Sequence, residues 1–198
     1  NLRISQISIL EDEEFLKNTP SRCYLCKRRS MRDLKAMAAA EGIESVADGL
    51  NLSDYGDYRP GILACDEEGI WHPFVEAGMT KEEIREVCRL LGLPFWNSPS
   101  SACLATRIPY GQRIEPVDLI RVEEAESYLG SLGFQQVRVR SHGDLARVEL
   151  LRGDAERALA LRDEISERLR DIGYCYVALD LDGFRSGRMN EALWRSHP

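Results

Sequence analysis

The chain has 198 residues, 43% hydrophobic and 30% charged, enough for one substantial core or two small ones. Its net charge of −7 argues against a surface built to grip nucleic acid, and no apolar run reaches membrane-spanning length. The opening segment carries Arg3, Gln6 and the acidic run Glu11-Asp12-Glu13-Glu14, so it does not read as a secretion signal, and a cytoplasmic setting is expected.

Taken in chain order, the alternation over residues 2–9 suits a strand. A long helix is expected from about Ser21 to Ala40, stopped by Gly42. Residues 43–47 read as a short buried strand and residues 51–61 as a polar loop. Thr80-Lys81-Glu82-Glu83 is a capping box opening a helix with Ile84, Val87, Cys88 and Leu91 on one apolar face. This β-α-β-loop-α order is the grammar of a parallel α/β layer. Pro94 to Pro109 is loop-like, and the domain boundary is placed at about residue 112, giving parts 1–112 and 113–198. The second part reads as a helix over 117–129, strands over 134–140 and 145–150, a helix over 154–172 and a strand over 174–180. That order is a small α+β domain.

Six cysteines without a secretion signal favour a reducing compartment, where close pairs bind metal or do redox chemistry. Cys23 and Cys26 are three apart at the start of the long helix, which puts both thiols on one face. Arg22, Lys27, Arg28, Arg29 and Arg32 surround them, and the helix N-terminus adds positive potential, so thiolate is favoured. Two half-buried cysteines beside a solvated basic face would give the same pattern. Cys103 lies in a Ser/Pro loop off any apolar stripe. Cys65, Cys88 and Cys175 sit in apolar patterns and are expected in the core. Three cysteines are one ligand short of a closed zinc site, and His72 has no partner near it in sequence. Three thiolates would suit an iron–sulfur cluster that leaves one iron open to hold a sulfide.

The basic charge is nearly all arginine, the better fork for phosphate or carboxylate, because the lysines are Lys17, Lys27, Lys35 and Lys81. Arg138 and Arg140 share one strand face, and hairpin pairing would add Arg147 and Glu149 to the same patch. Arg185 and Arg188 follow the last strand on a Gly-flanked turn. Such a patch is either a solvated sheet face or a site for an anionic substrate.

Several segments together resemble the LarE-type ATP-dependent sulfur transferases. They are Asn18–Arg29 (NTPSRCYLCKRR), Asp48–Gly61 (DGLNLSDYGDYRPG), Trp96–Gly111 (WNSPSSACLATRIPYG), Val137–Arg140 (VRVR) and Leu181–Asn190 (LDGFRSGRMN). The resemblance implies an adenine-nucleotide α hydrolase-like PP-loop domain, Rossmann-like in its parallel sheet, followed by an α+β sulfur-transfer domain. It implies activation of the carboxylates of pyridinium-3,5-biscarboxylic acid mononucleotide with ATP and Mg²⁺, then replacement of oxygen by sulfur, in nickel-pincer nucleotide biosynthesis. Cys23, Cys26 and Cys103 match the members that hold a [4Fe–4S] cluster on three cysteines. The position of a sacrificial cysteine in other members falls on Ala102. By the same resemblance Lys27, Arg107, Glu126, Arg138, Arg140 and Arg185 line the substrate site, Gly49 and Asp57 lie near the nucleotide, and the protein is a homo-oligomer, a hexamer in the family. The S-G-G-x-D-S phosphate loop of the family has no match here, and the chain opens on Asn1, so the first β-α units are expected to be missing and these 198 residues alone to lack adenylation activity. A PP-loop tRNA thiolase with a three-cysteine cluster, or a non-catalytic metal-binding module, are the competing readings.

Overall fold

The computed structural model describes residues 2–98, 102–185 and 187–190. It divides into two compact units, Asn1–Ser100 and Ser101–Pro198, ahead of the boundary expected at about residue 112. Residues 102–112 belong to the second unit because the 3-10 turn Leu104–Arg107 packs on a helix and a strand of that unit.

The described part of the first unit is helical. Helix α1 (Glu13–Leu16) is capped by the Asp12 carboxylate, which accepts from the amides of Glu14 and Phe15, and it buries Phe15 and Leu16. Helix α2 (Arg22–Ala40) holds no Pro or Gly and is rich in Ala, Leu, Met, Lys and Arg. It ends before Gly42, whose φ of 74° is the left-handed stop a helix C-terminus needs. Helices α3 (Gly61–Glu67), α4 (Pro73–Glu76) and α5 (Lys81–Leu90) follow. Met31 of α2, Cys65 of α3 and Ile70 form the core, with Val46 against them.

Three expectations for this unit need correction. Residues 2–9 form no strand, and Leu2 and Ile4 are exposed. Residues 43–47 make one parallel bridge, Ala47 to Trp71, rather than a buried strand. A strand exists through a partner: residues 2–9 pair with no strand among the described residues, and residues 43–47 have only the bridge to Trp71. Helix α5 has the expected Thr80/Glu83 capping box, but its apolar stripe is not core: Val87 and Leu91 are exposed and Cys88 is partly so. Periodicity identifies a helix face and says nothing of what covers it. Cys65 is buried as expected.

The second unit has the expected α-β-β-α-β order. Helix α6 (Pro116–Ser131) leads to β1 (Val137–His142) and β2 (Leu145–Leu150). Helices α7 (Ala155–Ala160) and α8 (Arg162–Asp171) replace the single expected helix, with a break at Leu161, and β3 (Tyr176–Leu179) closes the sheet. Strand order is β1-β2-β3, with β1 antiparallel and β3 parallel to β2. Ala125 and Leu129 of α6, Val137, Val139, Val148 and Leu150 of the hairpin, and Ile165 and Leu169 of α8 make one core. Removing that apolar surface from water stabilises the unit by about 25 cal/mol per Å². Cys175, expected inside this core, is exposed: it precedes the first residue of β3, and its amide bonds the Asp144 carbonyl in the turn of the hairpin.

Candidate functional site

In the first unit the thiol pair is set by the turn that precedes α2. Asn18 is buried in the left-handed region, φ 53°, which Asn tolerates better than most residues. Its side-chain carbonyl accepts from Arg22, whose guanidinium is 98% hidden and lies with Nη2 4.0 Å from Cys23 Sγ. The segment from Asn18 to Cys23 therefore places a buried positive charge beside the first thiol. Cys26 is one turn further along, and both cysteines are partly exposed and outside any disulfide. Gly61, at the start of α3, comes so close that a Cβ there would stand 3.4 Å from Lys27 Cβ and 3.5 Å from the Cys23 carbonyl. The Pro60-Gly61 step thus lets α3 lie directly on the cysteine-bearing turn. Part of the basic character read from the sequence is neutralised there. Arg32 pairs with Glu68 at 2.6 Å, and Arg28 stacks on the Tyr24 ring, whose hydroxyl donates to Glu67 at 2.5 Å.

The Asp48–Gly61 segment folds through its own polar residues. Asn51 and Asp54 form a capping box around the 3-10 turn Leu52–Gly56, and Arg59 pairs with Asp54 at 2.7 Å. Gly49 and Asp57 are exposed, and Asp57 accepts from the Tyr58 amide at 2.8 Å. His72 is not without a partner, as its sequence neighbourhood suggested. Its Nδ1 meets Asp48 at 2.8 Å and its Nε2 meets Asp66 at 3.1 Å, so both ring nitrogens face carboxylates. Burial opposes the charge on Asp48, but hydrogen bonds from His72 and the Leu50 amide bring its carboxyl below the ordinary value. Burial pushes the neighbouring Cys65 thiol up to about 11, which makes it a poor ligand or nucleophile.

In the second unit Cys103 is exposed and occupies the N-cap of the Leu104–Arg107 turn. Its carbonyl accepts from the Thr106 amide at 2.9 Å and the Thr106 hydroxyl at 2.7 Å. Pro99–Ser101, which precede it in the sequence motif, lie outside the described residues. Arg107 is buried and forms a two-pronged pair with Glu126 of α6, at 2.7 and 2.8 Å. The hairpin register places Arg138 opposite Glu149 and Arg140 opposite Arg147, bringing together the four residues expected on one face. They are not a solvated face. Glu149 is fully buried and bonds Arg140 at 3.1 and 3.0 Å, with Arg147 at 3.3 Å and Arg188 at 3.8 Å. Asp180 adds bonds to Arg188 at 2.7 Å and Arg147 at 3.0 Å. Arg138 lies 5.3 Å over the Phe184 ring. Burial, then the charges of Arg107 and Arg140, holds its pKa below the ordinary value. Arg185 is exposed and 3.7 Å from Asp182.

Among the described residues, no three His, Cys, Asp or Glu side chains gather around one point. Cys23 and Cys26 belong to one unit and Cys103 to the other. Cys23 and Cys26 are partly exposed thiols one helical turn apart with a guanidinium beside the first, and Cys103 is exposed on a pinned turn of the other unit. Glu149 and Arg188 were read from sequence as part of the arginine patch, whereas Asp180 and the Asp48–His72–Asp66 bridge were not, because each depends on partners remote along the chain.

No family model matches the chain. It is 38% identical over 196 residues, 99% of its length and 71% of the other's, to the pyridinium-3,5-bisthiocarboxylic acid mononucleotide synthase of Lactiplantibacillus plantarum. The chain belongs to this synthase family. An uncharacterized protein of Synechocystis is 40% identical over 95% of the chain and 71% of its own length. An uncharacterized protein of Methanocaldococcus jannaschii is 30% identical over 91% of the chain and 70% of its own length. No helix among the described residues of this synthase-family chain is long and apolar enough to cross a membrane.

Proposed function

We propose that this protein is an ATP-dependent sulfur transferase that converts adenylated carboxylates of pyridinium-3,5-biscarboxylic acid mononucleotide to thiocarboxylates for the nickel-pincer nucleotide. The observation that carries the reading is the 38% identity across 99% of the chain to a protein named for that product. In the proposed reaction a substrate carboxylate oxygen attacks the α-phosphorus of Mg²⁺-bound ATP and pyrophosphate leaves. A sulfide then adds to the acyl-adenylate carbon and AMP leaves with the original oxygen. The first unit is proposed to complete a PP-loop pyrophosphatase domain, with Gly49 and Asp57 near the nucleotide. Lys27, Arg138, Arg140 and Arg185 are proposed to surround the mononucleotide, where guanidinium groups suit its phosphate and carboxylates, with Arg107 and Glu126 at the adjoining sulfur-transfer site.

Cys23, Cys26 and Cys103 would hold a [4Fe–4S] cluster, which when bound supplies an iron without a protein ligand, able to carry a sulfide. The buried Arg22 guanidinium would stand beside the Cys23 sulfur, and Arg107 would fix the Cys103 backbone. The protein is further proposed to work in the cytoplasm as a homo-oligomer. The test is an anaerobic incubation of full-length protein with ATP, Mg²⁺, a sulfide source and the mononucleotide, read by mass spectrometry. Oxygen-to-sulfur exchange with release of AMP and pyrophosphate is expected. Failure to form thiocarboxylate, with ATP cleaved in response to tRNA instead, would replace the reading by a tRNA thiolase.

A further inference from the structure

We infer that Arg107 and Glu126 are positioning residues that hold the backbone beneath Cys103 and do not touch the substrate. This rests on the reading of Cys103 as a functional thiol. Arg107 is only 3% exposed, and all three of its guanidinium nitrogens are committed. Nε and Nη2 donate to the two oxygens of Glu126, while Nη1 lies within reach of the Ala102 carbonyl at 3.0 Å, the Cys103 carbonyl at 3.1 Å and the Thr106 hydroxyl at 2.8 Å. Glu126 is anchored in turn, because its Oε1 also accepts the Val139 amide of β1 at 2.9 Å. One carboxylate of α6 thus ties the Cys103 turn to the sheet through a single guanidinium. A planar fork with fixed donor directions is suited to this, and a lysine ammonium is not.

A second tether of the same design reaches the other end of the turn. Arg140, held by both oxygens of the buried Glu149, donates from Nη1 to the Thr106 carbonyl at 2.9 Å. The turn needs such tethers. It is a single 3-10 segment, poorer in hydrogen-bond geometry than an α-helix, and the bonds at its ends include Thr106 amide to Cys103 carbonyl and a long 3.3 Å bond from the Ile108 amide to the Ala105 carbonyl. For Arg107 to grip a substrate anion it would have to surrender its own bonds, including both prongs on the Glu126 carboxylate. Cys103 itself stays exposed while its main chain is gripped, the arrangement a thiol needs if it must meet a partner at a fixed place.

The experiment uses full-length protein and the variants Arg107→Lys and Glu126→Gln. Glu126→Gln keeps an oxygen for the Val139 amide and loses the charge, so it serves if Arg107→Lys does not fold. Amide hydrogen exchange at Thr106 and Ile108 is expected to quicken by about tenfold, with β2 amides unchanged, since the tether limits local opening. In sulfur transfer, kcat is expected to fall by about tenfold or more, with KM for the mononucleotide within about twofold of wild type. A rise in KM with kcat retained would overturn the inference, and so would unchanged exchange at Thr106 and Ile108. If the wild-type protein transfers no sulfur, the proposed function falls and exchange alone decides: quickened exchange upholds the tether, unchanged exchange overturns it.

Discussion

Glu149→Ala probes how the charges beneath the Cys103 turn are held. The native carboxylate is fully buried and balances Arg140 through bonds of 3.1 and 3.0 Å, with Arg147 and Arg188 at 3.3 and 3.8 Å. Asp180 still faces Arg147 and Arg188 after the substitution, but Arg140 loses the carboxylate that faces it from β2. Breaking a buried pair by removing one partner costs about 3–5 kcal/mol, because the surviving charge is left without compensation. With a urea slope of about 2 kcal/mol per molar, the unfolding midpoint falls by about 1.5–2.5 M. Glu149→Gln, which keeps the shape and an acceptor, costs less, about 1–3 kcal/mol. The assay is urea unfolding followed by circular dichroism, with hydrogen exchange at Val139 and Val148, cross-strand partners in the hairpin, to assign the loss to the second unit. A Glu149→Ala midpoint within about 0.3 M of wild type would refute the reasoning, since it would mean the buried guanidinium needs no carboxylate.

Gly183→Ala would put a Cβ 2.7 Å from the Leu150 carbonyl at a φ of 71°, so the turn after β3 must shift. The expected cost is about 1–2 kcal/mol from the backbone alone, and an unchanged melting temperature would contradict it. Cys65, buried with its thiol pushed up to about 11, should resist Ellman's reagent in the native state while exposed Cys175 reacts quickly. Rapid modification of Cys65 without unfolding would show that its burial is not maintained. Burial opposes the charge of Asp180, but Arg188, the Asp182 amide and Arg147 bring its carboxyl below the ordinary value. With the folded pKa depressed, the stability it contributes is complete above about pH 4 and is lost as pH falls through the folded value. Asp180→Asn should therefore flatten the acid limb of the stability profile, and an acid limb identical to wild type would contradict this.

Local chemistry was the legible part of the sequence. The Thr80/Glu83 box, the Gly42 stop and the alternation of Arg138, Arg140, Arg147 and Glu149 all depend on neighbours a few residues away or on simple pairing. What failed depends on distant partners. Residues 2–9 alternate correctly, but a strand needs a second strand, and Cys88 and Cys175 follow apolar periods yet stay partly or fully exposed. Helix α3 was hidden because Pro60-Gly61 reads as a turn, whereas here it lets the helix start against Lys27. The Cys23–Cys26 spacing showed at once as a shared helix face. The grip on Cys103 did not, because Arg107 closes it through Glu126, nineteen residues on, and Val139 beyond.

The account stands most directly on iron and acid-labile sulfide measured in anaerobically purified full-length protein, beside Cys23→Ala, Cys26→Ala, Cys103→Ala and Cys175→Ala. It predicts an iron–sulfur centre in the wild type and in Cys175→Ala, lost together with thiocarboxylate formation in the other three. A zinc-loaded, iron-free protein that still makes the thiocarboxylate would contradict it.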